Sequence, residues 1–238
     1  SPRPLKLCYS GEVLRVNNNS LNLSRQATQI GSEIIGIDQN KCENEVISLM
    51  IESLKLLKIK KFFISFTMPT LISAIVKDFK LSKSDLEFVK DKYNNKNLEG
   101  LEKISNQLKT ISNALIDCVG DATFNLKKLR TIKFTKNIKN EIQSFIKIIS
   151  RITKDFPNLE VLIDPLEIDE SNYHTGIAFK VFSENLKELF SGGNYKVLNE
   201  NCIGFSGFTE SLLLESFVTK SLVKKILIPK YTDIELKK

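Results

Sequence analysis

The change in hydrophobic periodicity along the chain constrains its fold most. Between residues 81 and 155, leucine and isoleucine recur every three or four positions, as in NLEGLEKISNQLKTISNALIDCV and NIKNEIQSFIKIISRIT. That spacing is typical of amphipathic helices. The segments before and after it contain runs in which apolar and polar residues alternate, as they do in half-buried strands. Because strands cluster towards both ends with helices between them, the pattern predicts an α+β fold with a mostly antiparallel sheet.

The elements themselves can be placed from the same patterns. Strands are expected at 5–16, 24–37, 60–68, 159–164, 176–183, 186–190, 202–206 and 224–229. Outside the central region, helices are expected at 43–56, 69–80 and 209–222. The first two strands should pair antiparallel around the polar loop NNNSLN.

The length is consistent with a single domain. With 238 residues, 42% of them hydrophobic, the chain can bury one sizeable core. We expect one domain over 1–238, with 81–155 as a helical insertion that packs on the sheet. The apolar stripe Leu101, Ile104, Leu108, Ile111 and Leu115 is expected to be core. The absence of a starting Met and the final KYTDIELKK suggest that the domain is incomplete at both ends.

Several functional classes are disfavoured by composition. No run of about 18 apolar residues exists, so no membrane helix is expected, and the start SPRP lacks the apolar region of a signal peptide. The four cysteines are far apart and form no CxxC motif, which favours a reduced cytoplasmic setting over disulfides or zinc. The net charge of +7 comes mostly from lysines spread along helical segments. We interpret it as solvated surface, with RNA binding as the alternative.

One candidate site lies on the second predicted strand, in RQATQIGSEIIG. Alternate side chains of a strand share a face, so Gln29, Gly31 and Glu33 point the same way. Arg15, on the neighbouring strand, would add a guanidinium to that face. A carboxylate, a carboxamide and a guanidinium together suit a small zwitterionic ligand. The alternative is a polar face of the sheet that simply meets solvent.

A second candidate surrounds the only histidine of the chain, in the stretch NYHTG. Tyr173 and His174 precede Gly176, and glycine allows a ligand or a backbone to approach closely. The alternative for His174 is a hydrogen-bonded structural role, and one histidine argues against a histidine-based metal site. Further along, Gly192-Gly193 is expected to form a flexible turn. Gly204 and its neighbours form either a ligand floor or a tight strand-to-helix junction.

Read in order, these stretches resemble the class II aminoacyl-tRNA synthetases of the histidyl branch. GEVLRV with RQATQIGSEIIG is similar to the second motif, YHTG to the histidine-specific loop, and GFSGFTESLLL to the third motif. The resemblance implies the class II synthetase sheet. It also implies histidine-binding positions at Gln29 and Glu33, with Tyr173 and His174 lining the ring pocket and Arg15 beside them.

The same resemblance implies that catalysis is lost. The arginine that precedes YYTG in the synthetases corresponds to Asp169, and the arginine of the third motif to Ser211. Asn17 and Asn194 replace a glutamate and a further arginine. Reversing one charge at about 4 Å, with an effective dielectric near 20, changes an interaction by several kcal/mol. We therefore expect no catalytic residues, no cofactor and no metal.

In this selective loss of residues, the chain resembles the regulatory subunits of ATP phosphoribosyltransferase. It is also similar to them in the stretches DPLE, YHTG and RPLKLCYSGEVLR. The resemblance implies a non-catalytic subunit that is required by the short catalytic subunit and transmits feedback inhibition by L-histidine. It further implies a homodimer within a hetero-oligomer, in the cytoplasm, without tRNA or membrane binding. The alternatives are a working histidyl-tRNA synthetase and a synthetase-like module that binds RNA or protein.

Overall fold

The computed structural model describes residues 2–14, 26–36, 42–168 and 173–216. Within these ranges, eight strands form one sheet in the order β1-β2-β8-β7-β6-β3-β5-β4. The strands are β1 (Leu5–Leu14), β2 (Gln26–Ile35), β3 (Phe62–Thr67), β4 (Gly120–Asp121), β5 (Glu160–Asp164), β6 (His174–Ser183), β7 (Glu188–Val197) and β8 (Glu200–Phe208). The helices are α1 (Glu43–Leu56), α2 (Leu71–Phe79), α3 (Lys83–Asn94), α4 (Asn106–Ile116), α5 (Ala122–Thr131), α6 (Lys136–Asp155) and α7 (Thr209–Glu215), with a 3-10 turn at Leu101–Lys103.

The sheet is mostly antiparallel, which confirms the predicted α+β class. β1 and β2 pair over their full length, from Leu5 opposite Ile35 to Leu14 opposite Gln26, as the sequence predicted. One neighbouring pair, β3 and β5, is parallel. A parallel pair needs a long crossover connection, and the helical region between the two strands provides it.

The two faces of the sheet differ in what covers them. Ile34 of β2 and Ile203 of β8 lie opposite each other and are buried in the main hydrophobic core. Helix α1 packs against these two strands, and α6 packs against α1 and α2. Because side chains alternate along a strand, the neighbouring residues Glu33 and Gly204 belong to the opposite face. That second face carries the candidate site.

The central helices bury the predicted apolar stripes. In α6 the side chains of Ile138, Ile142, Phe145, Ile149 and Ile152 are buried, at alternating spacings of four and three. The predicted core stripe is confirmed too: Leu101, Leu108, Ile111 and Leu115 are buried and Ile104 packs against the core. The two-residue strand β4 within this region was not predicted. Whether 81–155 is an insertion in a single domain stays a prediction.

Some predictions near the carboxyl end need correction or cannot be followed. The flexible turn expected at Gly192-Gly193 is wrong, because both residues lie inside β7 and pair with Phe205 and Gly204 of β8. The expected helix at 209–222 is seen as α7. Helix α7 ends at Glu215 and Ser216 is extended, so the helix stops earlier than predicted; the positions 217–222 and the expected strand at 224–229 lie outside the described residues. In the described part, no helix is long and apolar enough to cross a membrane.

Candidate functional site

A cleft of about 590 Å³ opens on the sheet face that carries Glu33. Strands β1, β2, β6, β7 and β8 contribute most of its lining. The lining residues with polar or aromatic side chains are Tyr9, Gln29, Glu33, Thr67, Glu167, Tyr173, His174, Lys180, Ser191, Tyr195 and Ser206. Four of the five predicted site residues therefore lie in one cleft. The fifth, Arg15, lies outside the described residues, as does Asp169.

Glu33 is a half-buried acidic group in the lining of this cleft. Its Oε2 accepts a hydrogen bond of 2.6 Å from the hydroxyl of Tyr195, which is 7% exposed. Burial raises the pKa of Glu33, and the Tyr195 hydrogen bond offsets part of that rise. Burial, followed by the neighbouring carboxylate, raises the pKa of Tyr195 well above its ordinary value. The pair thus holds one proton on the tyrosine oxygen and leaves the carboxylate as an acceptor.

Aromatic rings form the wall beside Glu33. The ring of Tyr173 stacks on that of Tyr195, with centroids 4.9 Å apart and planes 20° apart. His174 meets Tyr173 edge to face at 5.4 Å, and it pairs across the strands with Tyr195. Tyr173 is half exposed, so part of its ring is accessible from the cleft. A planar ring with N–H donors would fit such a wall, since it could stack and donate to Glu33 at the same time.

Glycines make room for these side chains on the floor of the cleft. A Cβ atom at Gly204 would overlap the carboxylate of Glu33. Gly193 has φ +159°, and a Cβ there would lie 2.6 Å from Cδ2 of His174. The sequence left two interpretations of the Gly204 segment open, a ligand floor and a tight strand-to-helix junction. The structure supports the floor, because Gly193 and Gly204 pair with each other and both line the cleft.

Several cleft residues were missed by sequence reasoning. Tyr9 on β1 lies opposite Gly31, and Gln29 donates to its hydroxyl over 3.4 Å. Tyr195 belongs to the GGNY stretch, where its spacing of two from Gly193 could have placed it on the same face. Also in the lining, Lys180 forms an ion pair of 2.9 Å with Glu167. No local pattern connects those two residues.

The side chains that line the cleft can recognise a small polar ligand. The cleft offers an acceptor carboxylate, a carboxamide, tyrosine hydroxyls and an ion pair, around a stacked aromatic wall. Of the positions at which the sequence resemblance implied altered synthetase residues, Ser211 lies in α7 and Asn194 in β7, and neither lines this cleft. Within the described ranges, no group of three or more His, Cys, Asp or Glu residues is placed to hold a metal.

Comparison with known proteins supports the sequence resemblance. A family model described as histidyl-tRNA synthetase matches residues 1–212. An ATP phosphoribosyltransferase regulatory subunit from Rhodospirillum centenum is 28% identical over 216 residues, which cover 90% of this chain and 56% of that protein. The chain thus spans about half the length of the curated relatives that it matches.

Solved structures show the same fold. An ATP phosphoribosyltransferase regulatory subunit/histidyl-tRNA synthetase from Bacillus halodurans superposes with a TM-score of 0.77 and 21% identity, covering 91% of this chain and 59% of that one. A chain of the ATP phosphoribosyl transferase (HisG:HisZ) complex from Thermotoga maritima gives 0.65 and 19%, covering 87% and 74%. The sheet and helices therefore form a class II synthetase fold of the histidyl type, as the sequence predicted.

Proposed function

Since the chain belongs to the histidyl-tRNA synthetase family, we propose that it is a non-catalytic member which binds histidine and regulates ATP phosphoribosyltransferase. The observation that carries the proposal is the Glu33–Tyr195 pair beside the stacked tyrosines. It provides an acceptor and an aromatic wall at the positions where the synthetase resemblance expects the histidine ring. The similarity to regulatory subunits supports the same assignment.

The cleft would bind histidine through both its imidazole ring and its α-amino and carboxylate groups. The imidazole N–H donates to Glu33, whose Tyr195 contact fixes the carboxylate on one side. The ring lies against Tyr173 and His174, and Gln29 accepts from the α-ammonium group. Gln29 is held for this role by its contact with Tyr9. Arg15 would contribute a cation to the ligand carboxylate.

We expect no tRNA charging, because residues that the synthetases need differ at two positions of this chain. In the synthetases, arginines at the positions of Asp169 and Ser211 contact negatively charged groups of the substrates. Here one position is acidic and the other is a neutral hydroxyl. A cleft that retains the amino-acid contacts and lacks these cations can hold histidine without activating it.

Regulation requires a partner, for which we propose the short catalytic subunit, assembled with a homodimer of the regulatory chain. Histidine would bias the complex only as far as its affinity differs between the active and inhibited states. Such coupling free energies are typically about 1–3 kcal/mol. By linkage, the catalytic subunit must change histidine affinity by the same factor.

Calorimetric titration of L-histidine into the protein tests the site. Glu33→Gln keeps the shape of the side chain and removes its charge. Loss of one charged hydrogen bond, about 1.5–3 kcal/mol, predicts a Kd raised at least tenfold. Glu87→Gln is the matched control, since Glu87 is an exposed residue of α3. Equal affinities in the Glu33→Gln variant and the parent protein would refute the assignment of the site.

The family model itself favours one other function, that of a working histidyl-tRNA synthetase. This alternative predicts histidine-dependent exchange of pyrophosphate into ATP. We expect no exchange signal from the chain, and we expect histidine to inhibit the phosphoribosyltransferase only when the chain is present. Exchange that requires histidine would overturn the non-catalytic assignment while leaving the histidine site intact.

A further inference from the structure

A second cavity, of about 240 Å³, lies where the first turn of α1 and the helix α6 meet the ends of β6, β7 and β8. Its polar lining includes Glu43, Glu141, Ser144, Thr175, Asn194 and Asn201. Two of these groups are carboxylates, and no lysine, arginine or histidine lines the cavity among the described residues. The lining is therefore rich in acceptors and carries negative charge.

Glu43 is the residue that makes this cavity unusual. It is 2% exposed, and its Oε2 is buried without a hydrogen-bond partner among the residues that the structure describes. The N-terminal turn of α1 favours a negative charge there, but that field does not replace a hydrogen bond. A buried carboxylate oxygen without a donor costs free energy, so such groups are normally paired.

The second carboxylate, Glu141, is partly exposed and has one side-chain hydrogen bond within the described structure. Oε2 of Glu141 accepts from the hydroxyl of Thr70 over 2.7 Å. No ion pair involves Glu43 or Glu141 in the parts of the chain that the structure describes. Asn194 and Asn201 add carboxamide oxygens, and Gly176 leaves space in which the side chain of Asn194 lies against the strand.

The geometry points to a binding site for a nitrogen cation with several N–H donors, a guanidinium or a primary ammonium group. We infer this class because two carboxylates and two carboxamides can accept several N–H bonds at once. A divalent metal fits less well, since the described residues contain no cluster of three or more metal-binding side chains. The volume suits a charged head on a short stem, below the usual 300–1,000 Å³ of pockets for drug-sized molecules.

The cation can come from a free small molecule or from a lysine side chain of a polypeptide, and two measurements separate these sources. The first is calorimetric and thermal-shift titration with methylguanidinium, at constant ionic strength. We expect saturable binding, at least tenfold weaker in Glu43→Gln and Glu141→Gln and unchanged in Glu87→Gln. Tetramethylammonium, which has the charge but no N–H donor, should not bind.

The second measurement is zero-length carbodiimide cross-linking of the full-length protein, alone and with the short catalytic subunit. A cross-link between Glu43 or Glu141 and a lysine amine would assign the cation to a side chain. Methylguanidinium binding without such a cross-link would assign it to a free ligand. If neither binding nor cross-link is seen, or if methylguanidinium and tetramethylammonium bind equally, the proposed site is refuted.

Discussion

Replacing Tyr195 by Phe tests the central contact of the cleft with the smallest possible change. The variant keeps the ring that stacks on Tyr173 and removes only the hydroxyl that donates to Glu33 over 2.6 Å. Among the described residues, Glu33 has no other hydrogen-bond donor. The substitution therefore leaves a half-buried carboxylate without a donor among the described residues.

The expected cost depends on pH. A hydrogen bond to a charged group contributes about 1.5–3 kcal/mol, and because water screens the exposed half of Glu33 we take the lower end, about 1.5 kcal/mol. Burial raises the pKa of Glu33 above the ordinary 4.5, and losing the tyrosine hydrogen bond raises it further. A carboxyl group with a raised folded-state pKa lowers stability as the pH rises from the unfolded pKa through the folded one. The variant is therefore most destabilised at neutral pH and less so below pH 4.5.

Urea denaturation at pH 7 and pH 4 measures the effect. At pH 7 we expect a loss of about 1.5 kcal/mol, or about 3–6 °C in Tm for a chain of this size. Tyr93→Phe is the control: Tyr93 shares a buried hydrogen bond of 2.6 Å with Ser112 and meets no carboxylate in that bond. Burial raises the pKa of Tyr93 to about 12, so its effect should be equal at both pH values. A Tyr195→Phe effect that is equal at both pH values, or larger at pH 4, would refute the reasoning.

Two further substitutions test the floor of the cleft and the support of the longest described helix. Gly204→Ala places a Cβ against the Glu33 carboxylate and should lower the free energy of unfolding by about 1–3 kcal/mol in urea denaturation. Histidine affinity should be at least tenfold lower by calorimetry. Unchanged affinity would mean that the ligand binds elsewhere. Asp78 of α2 accepts from the backbone N–H groups of Asn137 and Ile138 at the start of α6, so Asp78→Ala should cost about 1–2 kcal/mol at pH 7. Although burial raises the pKa of Asp78, hydrogen bonds from Thr135, Ile138 and Asn137 outweigh it and lower the pKa below the ordinary 3.8. The stabilisation is therefore present above pH 3.8 and lost as the pH falls through the folded-state pKa, so a cost that persists at pH 2 would contradict it.

The helices and most strands could be predicted because their signals are local. Helix α1 has the predicted bounds, 43–56, since its apolar residues repeat at helical spacing over four turns. The parallel pairing of β3 with β5 could not be predicted, because nothing in either strand records which neighbour it meets after a long connection. Gly192-Gly193 was misread for a related reason. Glycine marks both turns and close approaches, and here the space is needed within the sheet.

In the candidate site too, some residues could be predicted from local sequence pattern and others could not. Gln29 and Glu33 share a face by strand alternation alone, and the cleft contains both. Tyr195, which completes the Glu33 contact, lies 162 positions away along the chain. Lys180 and Glu167 meet across a segment whose path the sequence does not specify. Local pattern therefore identified the acceptors, while their partners depend on the register between strands.

The second cavity depends on tertiary structure to a still greater degree. Glu43 has an ordinary place in the first turn of a helix, where an acidic residue is favourable and needs no further explanation. Glu141 sits in α6, nearly a hundred residues later, and Asn194 and Asn201 lie on two strands of the sheet. Only the packing of α1 and α6 over the ends of β6, β7 and β8 brings these four acceptors to one cavity, where Glu43 is buried and the other three are partly buried. Because the cost of burying Glu43 appears only in that packing, the group that satisfies it has to be sought by binding experiments on the folded protein.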